Sequence, residues 1–145
     1  VKLGEITLDT RSLDLIQLFE KSVGLPVKDV METEDVIFYV LEKGGTYKLF
    51  TSDDKKRALD RIKESMKKRI NVLDYSPEPE QFFRNLFYRY KVVSLNITAG
   101  ESGYVVNVKV DPNYKASAIG KEAKNLKTAM LLAKRHFTIA RLYIE

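Results

Sequence analysis

The chain carries one pattern twice, and that repetition limits its fold more than any single motif. Laying Asp53 over Gly120 brings Leu59 onto Leu126, Ile62 onto Ala129, Met66 onto Ala133, Ile70 onto Phe137 and Val72 onto Ile139. The implied period is 67 residues (120 minus 53). Between the copies lies Ser76-Pro77-Glu78-Pro79-Glu80. Prolines so close together cannot continue a strand or a helix interior, whereas Ser76 followed by Pro77 suits a helix start. Two units are therefore expected, residues 1–75 and 76–145, each running helix, strand, strand, helix, helix, strand. That order belongs to the α+β class, with one small sheet per unit.

The elements follow from hydrophobic period and from punctuation. Asp9-Thr10-Arg11-Ser12 supplies capping chemistry before a helix carrying Leu15, Ile16, Leu18, Phe19 and Val23, and Gly24 with Pro26 ends it. A strand near Val27–Met31 and the run Val36–Leu41 come next. A continuous apolar run of that length reads as a strand covered on both faces. Gly44-Gly45 breaks it, a charged helix over 53–68 buries Leu59, Ile62 and Met66, and Ile70–Leu73 closes the copy. In the second half Phe82, Phe83, Leu86 and Phe87 mark a helix. Alternating Val93, Leu95 and Ile97 and then Val106, Val108 and Val110 flank a Gly100–Gly103 turn, as a hairpin requires. Ile139–Ile144 is the last strand.

Composition removes whole classes of function. The 145 residues include no cysteine, which excludes disulfides and thiolate metal sites, and one histidine, which argues against a histidine-built metal centre. No apolar run approaches the roughly 18 residues that span a bilayer, and the N-terminus lacks a signal-peptide pattern. The expectation is a cytoplasmic chain with no membrane partner. Neither a Ser-His-Asp set nor a pair of carboxylates marks a catalytic site, so no enzyme and no cofactor is expected. His136 falls beside an apolar stripe near a helix end, where a structural role suits it.

Charge points to a polyanion. Lys and Arg against Asp and Glu count 14 to 14 over residues 1–75 and 11 to 6 over residues 76–145, so the whole net charge of +5 sits in the second half. An excess that coincides with a glycine–lysine turn favours nucleic acid over a membrane surface, because the cationic helix has no bulky aromatic face. That helix is the stretch from Ala118 to Phe137. Leu126, Ala129, Met130, Ala133 and Phe137 recur at helical spacing on one face. Lys121, Lys124 and Arg135 project on the other side, with Lys127 and Lys134 on a flank and Glu122 as the lone offset. Gly120 opening onto a helix N-terminus would present backbone N–H groups and a positive dipole end to a phosphate. The corresponding place in the first copy holds Asp53-Asp54-Lys55-Lys56, whose carboxylates repel one.

Ala118-Ile119-Gly120-Lys121, followed by that lysine-rich helix and Ala133-Lys134-Arg135-His136-Phe137, resembles the I-G-x-x-G signature of a KH domain. More narrowly it resembles the second KH domain of the archaeal NusA family of transcription termination and elongation factors. The resemblance covers nearly the whole chain, with one departure: the family's second glycine is Ala123 here. It implies two tandem prokaryotic-type (type II) KH domains, each a small three-stranded mixed sheet with helices packed on one face. It also implies single-stranded RNA, the nascent transcript, as partner of a monomeric chain, with RNA polymerase a second candidate. KH domains clamp about four nucleotides at the glycine loop. The RNA-binding residues implied are Lys115, Ile119, Gly120, Lys121, Glu122, Ala123, Lys124 and Lys127, with Tyr104 and Tyr114 as stacking candidates. The contrasting expectation is a protein-interaction or ribosome-associated scaffold that keeps the KH fold without holding RNA. On the clamp reading Gly120 lies in an exposed loop that tolerates a side chain, and Ala123 lies in the first helical turn.

Overall fold

The computed structural model describes residues 9–145. Residues 1–8, counted above with the first domain, lie outside the described residues. The described chain divides between Tyr75 and Ser76 into two compact units.

In the first unit, α1 (Thr10–Val23) is followed by β1 (Val27–Glu32) and β2 (Val36–Leu41), then α2 (Gly45–Phe50), α3 (Asp53–Met66) and β3 (Arg69–Asp74). Asp9 caps α1 by accepting from the Ser12 N–H, and Gly24 ends it in the left-handed region at φ 78°. The sheet order is β1-β2-β3, with β1 antiparallel and β3 parallel to β2. All six residues of β2 are buried, as its continuous apolar run requires. Leu15 and Phe19 of α1 and Leu59 and Ile62 of α3 close over Ile37, Tyr39 and Leu41 in one core. The hydroxyl of Tyr39 donates to the Leu15 carbonyl at 2.8 Å, which satisfies the one polar atom that this aromatic buries.

The second unit repeats the order with α4 (Pro79–Leu86), β4 (Val92–Gly100), β5 (Gly103–Val110), α5 (Lys115–Ile119), α6 (Lys124–Lys134) and β6 (Ile139–Ile144). Its sheet runs β4-β5-β6, again with one antiparallel and one parallel pair. Each unit is thus a three-stranded mixed sheet with its helices, a KH-like fold. Phe82 anchors the core of this unit, its ring 5.2 Å from that of Phe137 and 5.5 Å from His136.

Several local expectations change. Helix α4 starts at Pro79 with Glu78 as N-cap, and the Ser76 hydroxyl accepts from the Glu78 N–H instead of opening the helix. Val93 leaves the strand alternation because the ladder shifts between Val92 and Ser94, and it is 60% exposed. The inward face of α6 is Thr128, Ala129, Leu132 and Ala133, while Leu126, Met130 and Phe137 are only half-buried. The repeat register moves with it. Ala58, Leu59 and Ile62 occupy the buried places that Thr128, Ala129 and Leu132 occupy in the second unit, a period of 70 (129 minus 59), not 67. A slip of three residues is close to one helical turn, so both registers put apolar residues on one face.

Candidate nucleic-acid interface

Lys115 opens α5, Ala118 is buried beneath that helix, and Ile119 and Gly120 are half-buried at its end. Gly120 takes φ 79° and ψ 168°. Side chains other than hydrogen essentially never occupy that region. A Cβ built there would lie 2.9 Å from the backbone nitrogen of Asn125 and 2.9 Å from its Cγ. The Asn125 side chain crosses the turn, donating from Nδ2 to the Ser117 carbonyl at 2.7 Å. The loop therefore does not tolerate a side chain at position 120; space and backbone conformation both require glycine.

Nor does Gly120 open directly onto the long helix. A 3-10 turn, Lys121–Ala123, intervenes, and α6 begins at Lys124. Glu122 and Ala123 are left-handed at φ 56° and 60°, so Ala123 precedes the helix as its N-cap. Ala123 N–H donates to the Gly120 carbonyl and Lys124 N–H to that of Lys121. No acceptor among the described residues takes the N–H of Lys121 or Glu122. The start of α6 has no side-chain cap and no acidic residue in its first turn. Lys115, Lys121, Lys124 and Lys127 are all exposed around it. Uncapped N–H groups at a helix start, ringed by lysines, present hydrogen bonds and positive charge to a phosphate.

The first unit is built oppositely at the same place. Ser52 caps α3 by accepting from the Lys55 N–H, and Asp53 and Asp54 fill its first turn. Those carboxylates pair with Lys56 and Arg57. The helix end is satisfied internally.

The site residues implied by the sequence thus lie together on α5, the turn and the first helical turns of α6. Of the stacking candidates, Tyr114 is half-buried with Lys91 Nζ 5.3 Å from its ring centre, and Tyr104 is half-buried where its N–H donates to Thr138. Sequence reasoning missed Asn125, whose role depends on a neighbour across the turn. It also passed over Arg141 and Tyr143, exposed on β6, the edge strand against which α5 and α6 pack. Among the described residues no His, Cys, Asp and Glu group is placed to hold a metal, and no helix is long and apolar enough to cross a membrane.

The chain and its fold find counterparts among known proteins. A probable transcription termination protein NusA of Thermoplasma acidophilum is 28% identical over 145 residues, spanning 100% of this chain and 99% of its own. The chain is similar along its whole length to that NusA protein. Proteins of the same name from Methanococcus vannielii and Methanocaldococcus jannaschii are 29% and 20% identical, covering 90% and 98% of the chain and 74% and 76% of their own lengths. No protein-family model matches. Among solved structures, the crystal structure of APE1850 superposes with a TM-score of 0.74 at 25% identity, covering 95% of this chain and all of that one. The NusA-like relatives span both KH-like units, so the likeness is to a tandem arrangement and not to one domain alone.

Proposed function

We propose that this chain is an RNA-binding transcription factor acting in termination or elongation, and that its second KH-like unit holds single-stranded RNA. The observation that supports this reading is the contrast between two equivalent helix starts. One is uncapped, free of acid in its first turn and ringed by lysines; the other is capped by Ser52 and carries Asp53 and Asp54. The phosphate backbone would sit at Gly120–Lys124, with Lys115, Lys121, Lys124 and Lys127 around it and bases passing over Ile119 toward β6. The reading places the chain in the cytoplasm, as a monomer, on the nascent transcript of RNA polymerase. It asks for no catalytic step and no cofactor.

A second reading rests on the first unit, where Tyr47 and Phe50 of α2 are 74% and 53% exposed beside the acidic start of α3. Such a surface suits a protein partner better than RNA, as a scaffold would need.

Charge reversal at matched net charge separates the two. Lys121→Glu with Lys127→Glu is compared with Lys56→Glu plus Lys63→Glu, all four positions being exposed. Lys55 is unsuitable as a control because its Nζ donates to the Val23 carbonyl at 2.9 Å. With randomised single-stranded RNA, the first pair should remove most binding and the second little. Binding by the unaltered chain should weaken with salt at a log–log slope of about −3, for four phosphates at about −0.7 each. Equal losses from both pairs would leave only a diffuse electrostatic surface, and no saturable binding at low salt would favour the scaffold.

A further inference from the structure

A second cationic surface lies on the same unit, away from the glycine turn in sequence. Between α4 and the start of β4 a 3-10 turn, Tyr88–Tyr90, frames an open cleft of about 530 Å³. Among the described residues its lining includes Gln81, Arg84, Asn85, Tyr88, Arg89 and Lys91 and no carboxylate. Glu80 approaches Arg84 at 3.9 Å from outside that lining, a loose and exposed pair that leaves the cleft strongly positive. Tyr88 is 81% exposed, although buried Leu86 and Phe87 just before it fix the backbone that carries it. Lys91 is held in the left-handed region at φ 56° and ψ 82° by two bonds: its N–H donates to the Tyr88 carbonyl, and its carbonyl accepts from Asp111. A non-glycine residue is disfavoured in that region. Such conformations persist where the surroundings over-determine them, and they gather at binding sites.

The chemistry of the lining selects its ligand. Three cations ask for an anion, and the exposed tyrosine ring offers a platform for a planar group, while the two amides are bonded to each other, Gln81 Nε2 donating to Asn85 Oδ1 at 2.8 Å. A strand of nucleotides supplies phosphate and base face together, and aromatic stacking of successive bases is the common way to hold one. An acidic peptide would satisfy the cations but leave the Tyr88 ring without a flat partner. The cleft also adjoins the helix leading to the glycine turn. Lys91 lies over the ring of Tyr114, the residue just before Lys115 and α5.

We propose that this cleft is a second contact for single-stranded RNA, stacking a base on Tyr88 and neutralising phosphates with Arg84, Arg89 and Lys91. The proposal rests on the RNA-binding reading above and lengthens the bound strand beyond the four nucleotides of a KH clamp. The test measures the full chain by fluorescence anisotropy with oligouridines of four and about ten nucleotides, lengths within the range bound by single-strand modules. Tyr88→Ala and Arg89→Glu should each weaken the longer strand about ten-fold and leave the four-nucleotide strand unchanged. Tyr88→Phe, which keeps the ring, should behave as the unaltered chain. Losing both lengths equally, or neither, overturns the cleft, as does polyglutamate of equal charge competing as well as oligouridine. Failure of the unaltered chain to bind either strand overturns the RNA reading and this proposal with it. Binding that is lost with Lys121→Glu plus Lys127→Glu but indifferent to Tyr88→Ala and Arg89→Glu overturns the cleft alone.

Discussion

Asn125 stands over Gly120: its backbone nitrogen lies 2.9 Å from where a Cβ on that glycine would project, while its side chain reaches past to the Ser117 carbonyl at 2.7 Å. The pair locks α5 to the start of α6, and it makes glycine at this position a demand of the fold itself. Stability and ligand binding at position 120 are therefore coupled, so a substitution there cannot report on RNA contact alone.

Gly120→Ala should lower stability by about 1–3 kcal/mol, because the new side chain meets Asn125 and the backbone must leave its glycine-only region. Urea denaturation with the midpoint compared at equal slope measures it. A change below about 0.5 kcal/mol, the size expected of an ordinary surface substitution, would mean the turn relaxes freely. Asn125→Ala should cost about 1 kcal/mol through the lost hydrogen bond, without the backbone strain.

Ala123→Gly should raise stability by about 1 kcal/mol. The usual helix propensities give the opposite sign, since alanine outranks glycine inside a helix. Position 123 is outside it, however, at φ 60°, where a Cβ is penalised and glycine is not. Thermal denaturation of the two proteins distinguishes the signs directly. Greater access to the turn should also tighten RNA binding modestly, read by anisotropy on a four-nucleotide strand.

Acid should weaken the first unit through Glu32. Hydrogen bonds from Arg11 and from Lys68 pull its carboxyl down to about 2 from an ordinary 4.5. Because the folded value is the lower one, the contribution is fully present above about pH 4.5 and is lost as pH falls from there toward 2. Arg11 is more than half exposed, so solvent screening keeps the contribution modest. Glu32→Gln should thus be less stable than the unaltered chain at pH 6 and level with it near pH 2. A difference that stays constant across that range would remove the ion pair from the account.

Much of the architecture was legible in the sequence because it rests on local period. The apolar run Val36–Leu41 read best as a covered strand, and the lysines from Lys115 to Lys127, with Glu122 their lone acidic offset in sequence, marked the second copy before any contact was known. The Asp9 cap and the Gly24 stop were equally plain. Period is blind to a shift of one turn, however, so the sequence set Leu59 against Leu126 where packing sets it against Ala129. Leu132, fully buried, stayed hidden for the same reason. The turn was beyond reach because its determinants are not local: Gly120 is fixed by Asn125 crossing over it, and the left-handed Glu122 and Ala123 are held by the helices on either side. Arg84, Tyr88, Arg89 and Lys91 carried no motif at all. The sequence by itself determined which segments fold and which copy is cationic, since both follow from the order of side chains along the chain. Only the tertiary structure decided the register of the repeat, the need for glycine at 120 and the gathering of that cleft, since each depends on atoms brought close by folding.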